Sequence, residues 1–319
     1  MHAFILAGGF ATRLWPLTEK RAKPLLPLAG LPILTHIVEK IPLHIPVTVS
    51  TNAAFKNGFL EWKETIDRPS LQIMIEPTFA DDKKLGTNGA IAQWLRDEKI
   101  TDDVLLLTGD NYLGFSIENF IASYTGNPLL AAYDIGDKHE ARKFGTVILS
   151  DDGRSVAAFE EKPAEAKTTL VSTGCYIVPA SSFAMLDAYA KTHPDFIGGI
   201  FEEFLRMKTR VDCFRFEECW FDIGSFETYL NATKKLVGDH LLLGDGAEMV
   251  SSMREGSVVI GQNSKVDQST ITDTVIFDDC EIVDCVLERC VIDSGCSLKG
   301  IDLTGKMIRA GTILRSLTR

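Results

Sequence analysis

Gly8, Gly9, Arg13 and Lys23 lie close together in the stretch "LAGGFATRLWPLTEKRAKPLLPLAG", which follows directly on an apolar run. A strand that opens into Gly8-Gly9-Phe10-Ala11-Thr12-Arg13 can present successive backbone N–H groups to an anion. The two glycines would let the backbone approach closely and take dihedrals closed to other residues. Arg13 and Lys23 can add charge-assisted hydrogen bonds to phosphate oxygens. The segment is neither G-x-x-x-x-G-K-[ST] nor G-x-G-x-x-G. A tight strand-to-loop turn with a solvated basic face is the competing reading. Lys20 and Arg21 stand outside the phosphate assignment and add only local potential.

Two carboxylates extend the pattern. Asp110 ends "VLLLTGD", and Asp222 lies in "CWFDIG" between a strand pattern and a helix pattern. Ligands of open α/β sheets bind beyond the carboxyl ends of the strands. Aspartates there, beside a phosphate loop, suggest Mg²⁺, which needs only one or two carboxylates plus phosphate oxygens. Taken singly, each is equally a cap or turn residue. A third group is Glu160-Glu161-Lys162-Pro163, followed by Ser172-Thr173-Gly174. A lysine at a strand end can hold a second phosphate, and the neighbouring carboxylate can accept from sugar hydroxyls. Alone, "EEKP" reads as a surface charge run.

These residues need a frame, and the first two-thirds of the chain supply one. Strand patterns ("HAFILAG", "PVTVST", "LQIMIEP", "VLLLTGDN", "LLAAYD") alternate with helical ones ("LPILTHIVEKI", "GFLEWKETI", "TNGAIAQWLRDEK", "SIENFIASY"). Such alternation predicts a mostly parallel sheet with helices on both faces. "FGTVILSDDGRSVAAFEEKP" predicts a hairpin turning at Asp-Asp-Gly. "VDCFRFEECWFDIG" reads as strand, and "SFETYLNATKKLV" as a closing helix. From about Gly246 short apolar pairs recur every five or six residues, the signature of a parallel β-helix. Cys280, Cys285, Cys290 and Cys296 share that rhythm and are expected inside the coil as small hydrophobes. The fold class expected is α/β, a Rossmann-like sheet over residues 1–240 followed by a small left-handed parallel β-helix over residues 246–319.

Bulk properties narrow the function. The chain has 319 residues, 45% hydrophobic and 24% charged, and a formal net charge of −11. An acidic surface argues against nucleic-acid partners, and no apolar run approaches the ~20 residues of a membrane span. "MHAFILAGGF" lacks the basic leader of a secretory signal, so a cytoplasmic protein is expected. Seven cysteines, without C-x-x-C or H-E-x-x-H, argue against a disulfide framework or a zinc site.

The stretches "LAGGFATRLWPLTEKRAKPLLPLAGLPIL", "LGTNGAI", "TGDN", "FGTVILSDDGRSVAAFEEKP", "STGCYIV" and "WFDIGSFETYL" occur in the order typical of sugar-1-phosphate nucleotidylyltransferases. The chain resembles that family over roughly residues 1–235, and its tail resembles the β-helix many members append. The resemblance implies that Leu6, Ala7, Gly8, Gly9, Ala11, Thr12 and Arg13 cradle a nucleoside triphosphate. It places Arg13 on the departing pyrophosphate and Lys23 near the reacting phosphorus. Glu76, Gly86 and Thr87 fall where the family reads base and ribose. Asp110 and Asp222 match its Mg²⁺ ligands. Gly145, Glu161, Lys162 and Gly174 match its sugar-phosphate pocket, with Arg13, Lys23, Asp110 and Lys162 as the catalytic set.

The implied reaction joins a nucleoside triphosphate to a sugar-1-phosphate by in-line attack, releasing pyrophosphate. Both reactants are anions, so catalysis is positioning plus charge cancellation. The base and sugar stay open, with a lean to glucose-1-phosphate and dTTP or UTP. Alternatives are a mannose-1-phosphate guanylyltransferase or a catalytically silent nucleotide-sugar binder. An acyltransferase in the coils would need a general base, yet no histidine follows His240. The coils are expected to serve homo-oligomerisation or packing. Ala11 departs from the family's Gly, and Thr173 from its usual Asn or Ala.

Overall fold

A computed structural model of the chain describes residues 1–9, 12–77 and 85–316. Ala11 therefore lies outside the described residues. The chain forms β1 (His2–Leu6), a small ribbon of β2 (Pro27–Leu28) and β3 (Leu31–Pro32), α1 (Ile33–Val38), β4 (Val47–Asn52), α2 (Lys56–Glu64), β5 (Leu71–Glu76) and α3 (Thr87–Asp97). Next come β6 (Val104–Thr108), β7 (Asn111–Leu113), α4 (Ile117–Ala122), β8 (Leu129–Asp134), α5 (Lys138–Ala141), β9 (Gly145–Leu149), β10 (Val156–Glu161) and β11 (Leu170–Val178). Helices α6 (Phe183–Ala190) and α7 (Gly199–Arg206), strands β12 (Asp212–Phe216) and β13 (Trp220–Asp222), and helix α8 (Phe226–Val237) follow. Two compact units result, one of residues 1–9 and 34–222, the other of residues 12–33 and 223–316.

The first unit is Rossmann-like α/β. Its main sheet runs β10-β9-β11-β6-β1-β4-β5, with β8 paired to β11 and β12 paired to β8. The half built from β5, β4, β1 and β6 is parallel. β6 reads "VLLLT" without alternation because sheet interiors of this kind are covered on both faces. The sheet is mixed, since β11 runs antiparallel to β6, β8 and β9. The chain reaches β11 from a hairpin rather than through a crossover helix, so a parallel entry is not required. That hairpin, β9–β10, turns where expected. Asp152 accepts from the amides of Arg154 and Ser155, and Gly153 takes φ +64°.

Aromatic side chains fill the core of this sheet. The Phe4 and Trp94 rings stack at 4.5 Å, and Phe201 packs on Phe159 and Tyr176. The stretch "VDCFRFEECWFDIG" divides into two strands with different partners. β12 extends the main sheet beside β8, and β13 pairs antiparallel with β7 in a separate ribbon.

In the second unit, fourteen short strands from β14 (Leu241–Leu243) to β27 (Ile313–Arg315) stack into three parallel sheets, the coil of a β-helix. Register steps of 17 and then 16 residues (Leu241 to Val258, Val259 to Val275, Val275 to Val291) explain the hexapeptide rhythm, since each turn carries three strands. Tight corners hold Asn263, Asp273, Asp279 and Asp284 at φ between +42° and +58°, a conformation Asn and Asp tolerate best among non-glycine residues. Cys280, Cys285, Cys290 and Cys296 are buried in the coil interior among valines, isoleucines and leucines. Helix α8 opens with a capping box between Ser225 and Thr228. Among the described residues no helix is long and apolar enough to cross a membrane.

Candidate active site

The β7–β13 ribbon brings the two predicted metal-binding aspartates together. β6 ends at Thr108, and Gly109 then crosses the end of β1, its amide donating to the Leu6 carbonyl at 2.8 Å. A Cβ on Gly109 would stand 3.0 Å from that oxygen, so only glycine passes without displacement. Asp110 follows, and the next residue, Asn111, is the register partner of Asp222. Partners in an antiparallel pair have Cα atoms roughly 4.5–5.5 Å apart. Asp110, which immediately precedes β7, thus lies one residue from the register partner of Asp222, 112 residues away in the chain.

Asn111 fixes this corner. Its Oδ1 accepts from the Trp220 indole N–H at 2.8 Å, which sets the amide orientation. Its Nδ2 then donates to Asp110 Oδ1 at 2.9 Å and to Thr108 Oγ1 at 2.7 Å. Neither Asn111 nor Trp220 was singled out in the sequence. Asn after Asp is an ordinary turn pair, and only the β13 pairing reveals its second partner.

Gly174 belongs to the same corner. It has φ +75°, and a Cβ there would lie 2.4 Å from Thr108 Oγ1. Thr173, beside it, is buried and donates to the Ala131 carbonyl at 3.1 Å, so its hydroxyl is occupied within the sheet.

A second group forms beyond β1, β4 and β5. Leu6 ends β1, and Ala7 donates to the Ser50 carbonyl. The Gly8 carbonyl accepts from Asn52 Nδ2 at 2.9 Å. Glu76, at the end of β5, is 8% exposed and accepts from Ser50 Oγ at 2.8 Å. Burial pushes its carboxyl above the ordinary glutamate value, opposed by the Ser50 bond and a bond from the Leu85 backbone. A Cβ on Gly8 would lie 3.6 Å from Glu76 Oε1, an ordinary contact, and among the described residues beyond its chain neighbours nothing lies within 4 Å of a Cβ on Gly9. Neither glycine has a left-handed φ. The expectation of unusual dihedrals at Gly8 and Gly9 is corrected in that respect: neither uses the left-handed φ that glycine alone adopts freely.

Gly86 does meet such a requirement. It caps α3 with φ +76°, and a Cβ would come within 2.5 Å of the Pro194 carbonyl oxygen. Asn88 completes the join, donating its amide to Pro194 O at 2.7 Å and its side chain to His193 O at 2.8 Å. Thr87 is the first residue of α3. The Leu85 bond to Glu76 thereby ties the start of this helix to the end of β5.

The third group gathers Gly145, Glu161 and Lys162. A Cβ on Gly145 would meet Phe159 Cζ at 2.3 Å and Glu161 Oε2 at 2.9 Å. A Cβ on Gly198, which the sequence does not single out, would come closer still, 2.0 Å from Glu161 Oε2. Adjacent glycines at a helix start were the available signal. Burial raises the Glu161 carboxyl, with Lys162 acting the other way and Glu202 adding to the rise. The Glu161 amide donates to Glu202 Oε1 at 2.8 Å. Lys162 has φ +45°, donates its amide to the Phe144 carbonyl, and holds its ammonium 4.2 Å from the Phe196 ring centre and 4.0 Å from Glu161 Oε1. The aromatic face and the Glu161 carboxylate together steer this exposed ammonium.

Thr12, Arg13 and Lys23 belong to the second unit. Thr12–Leu14 is a 3₁₀ turn with Thr12 and Arg13 exposed. Lys23 starts another 3₁₀ turn, Lys23–Leu25, and is 7% exposed. Within the first unit, a hollow of about 540 Å³ is lined by Thr125, Arg154, Arg210, Asp212 and Arg215 among others, and by none of the candidate site residues.

Comparison with known proteins bears on the reading. A family model described as nucleotidyl transferase matches residues 2–238. The chain is 26% identical over 296 residues to mannose-1-phosphate guanylyltransferase of Mycobacterium tuberculosis, covering 87% of this chain and 80% of that one. It is 31% identical over 188 residues to the bifunctional protein GlmU of Methanococcus maripaludis, covering 59% of this chain. The match takes in 42% of GlmU, so the chain corresponds to about two-fifths of that relative. A crystal structure with sucrose, of a Bacillus anthracis protein assigned as a glucose-1-phosphate thymidylyltransferase, matches with TM-score 0.64 at 22% identity. It covers 74% of this chain and 94% of that one, and at that identity it establishes the fold alone.

Proposed function

This chain belongs to the nucleotidyl transferase family, and we propose that it transfers a nucleotidyl group from a nucleoside triphosphate to a sugar-1-phosphate, releasing pyrophosphate. The observation that carries the reading is that Asp110 adjoins Asn111, the register partner of Asp222. Two carboxylates are a hard-oxygen pair suited to Mg²⁺, whose other ligands come from phosphate and water. Among the described residues no group of three or more His, Cys, Asp or Glu side chains could hold a metal ion. When bound there, the ion would offset phosphate charge and polarise the phosphoryl group under attack.

The chain's own residues supply the rest. A sugar-phosphate oxygen is already ionised at neutral pH, so no side-chain nucleophile or base is required. Lys162 is read as the cation that grips the sugar's phosphate, and Glu161 as an acceptor for its hydroxyls. Leu6, Ala7, Gly8, Gly9, Ala11, Thr12, Arg13 and Lys23 are assigned to the triphosphate. Glu76, Gly86 and Thr87 are assigned to the nucleoside, and Gly145 and Gly174 to the sugar side. Asn111 holds Asp110 through a hydrogen bond oriented by Trp220. Preorganised charge of this kind is worth far more in a dry site than in water.

Glucose-1-phosphate with dTTP or UTP remains the first substrate pair. The long match to the mycobacterial guanylyltransferase favours mannose-1-phosphate with GTP as the second. For the coils we keep homo-oligomerisation, supported by the exposed apolar side chains Met253 and Ile313. Exchange of labelled pyrophosphate into the nucleoside triphosphate tests the direct-displacement mechanism. Exchange should require the sugar-phosphate or the nucleotide-sugar product. Exchange in the absence of both would mean a covalent nucleotidyl-enzyme and would refute direct attack.

A further inference from the structure

We propose that the β-helix coils position the triphosphate-binding segment, and that Arg21 is the residue through which they do so. The inference rests on the reading of Arg13 and Lys23 as triphosphate contacts. Arg21 looked dispensable in the sequence, yet three groups of the second unit grip its guanidinium. Nη1 pairs with Asp293 Oδ1 at 3.2 Å, Nη2 donates to Ser294 Oγ at 3.4 Å, and the guanidinium carbon stands 5.3 Å from the Phe277 ring centre. Asp293 and Phe277 are 4% and 2% exposed. Burial pushes the Asp293 carboxyl up, with Arg21 opposing. An aspartate buried this deeply is strongly disfavoured without its cation.

The grip continues on both sides of Arg21. Glu19 forms a two-pronged pair with Arg309, through Nη2 at 2.8 Å and Nε at 2.5 Å. Further along, the Tyr229 hydroxyl donates to the Pro27 carbonyl. Residues 19, 21 and 27 are therefore each fixed to residues more than 200 positions away in the chain. Lys23 lies two residues beyond Arg21, within about 7 Å along the backbone, and is itself buried. A lateral shift of Arg21 must reach Lys23. A buried ion pair adds little stability compared with apolar packing, but its geometry fixes register. Arg21 is thus a positioning residue, and its guanidinium fork is the feature a lysine would not reproduce.

Steady-state kinetics on the full chain test this, varying each substrate in turn. Asp293→Asn should raise KM for the nucleoside triphosphate about tenfold, as small displacements of binding groups do, with KM for the sugar-phosphate within about twofold. Arg21→Lys should show the same split. Arg309→Gln, on the more exposed pair, gives a smaller shift in the same direction and keeps the test open should Asp293→Asn fail to fold. Folding of each variant is followed by circular dichroism. Folded variants with unchanged KM for the triphosphate, or with equal rises for both substrates, would overturn the inference while the transferase reading stands. Absence of turnover by the unsubstituted chain with any substrate pair would remove that reading, and this inference with it.

Discussion

Asp222 stands opposite Asn111 across an antiparallel ribbon, and Asn111 donates to Asp110 at 2.9 Å. One residue thus holds the Asp110 carboxylate through its side chain and stands opposite Asp222 in the strand register, although the chain separates the two aspartates widely. Residues that orient metal ligands typically contribute about 10–100-fold in metal affinity. Asn111→Ala should raise the Mg²⁺ concentration for half-maximal turnover by about tenfold, measured by Mg²⁺ titration at saturating substrates. Asp110→Ala should lower turnover by about a hundredfold or more. Near-normal activity in Asp110→Ala would sink the metal assignment.

Lys162→Ala should chiefly raise KM for the sugar-phosphate. Gly198→Ala should act on the same substrate without removing any charge, because its new Cβ would meet Glu161 Oε2 at 2.0 Å. Overpacking of this kind costs about 1–3 kcal/mol of stability. Chemical denaturation together with substrate-saturation curves separates the two effects. A change confined to the nucleotide would refute the sugar-side role of both residues.

Glu76 makes stability depend on pH in a defined direction. Its folded carboxyl titrates above the ordinary value of 4.5 because burial disfavours the charge. Between the unfolded and folded titrations the folded state holds more protons, so stability falls as pH rises through that window. Glu76→Gln cannot titrate and should lose this component. The stability difference, variant minus unsubstituted chain, should therefore grow from pH 4 to pH 7 in urea unfolding. A difference that shrinks with rising pH would contradict the assignment.

The legible parts of the molecule were those written locally. β1 and β6 announce themselves as unbroken apolar runs, and the Asp-Asp-Gly turn of the β9–β10 hairpin carries its own chemistry. The coil is legible because its period repeats. Gly86, Gly145 and Gly174 could be numbered from the family pattern, but their physical reasons could not be. Gly86 and Gly174 face atoms from distant segments, Pro194 and Thr108, and Gly145 faces Phe159 across its own hairpin. Asn111 with Trp220, Glu161 with Gly198, and Arg21 with Asp293 were missed for the same reason. Their residue types are ordinary, and the meaning lies in partners 109, 37 and 272 positions away. The local pattern at Gly8 and Gly9 was misleading in the other direction, since glycine is permitted there but its special dihedrals are not used.

The most direct measurement is pyrophosphate release by the full chain with Mg²⁺, across four nucleoside triphosphates and a set of hexose-1-phosphates. Release is expected with at least one pair, dependent on both substrates and matched by an equal amount of nucleotide-sugar. Failure to release pyrophosphate with any pair, by folded protein that still binds nucleotide, would contradict the transferase reading and leave a silent nucleotide-sugar binder in its place.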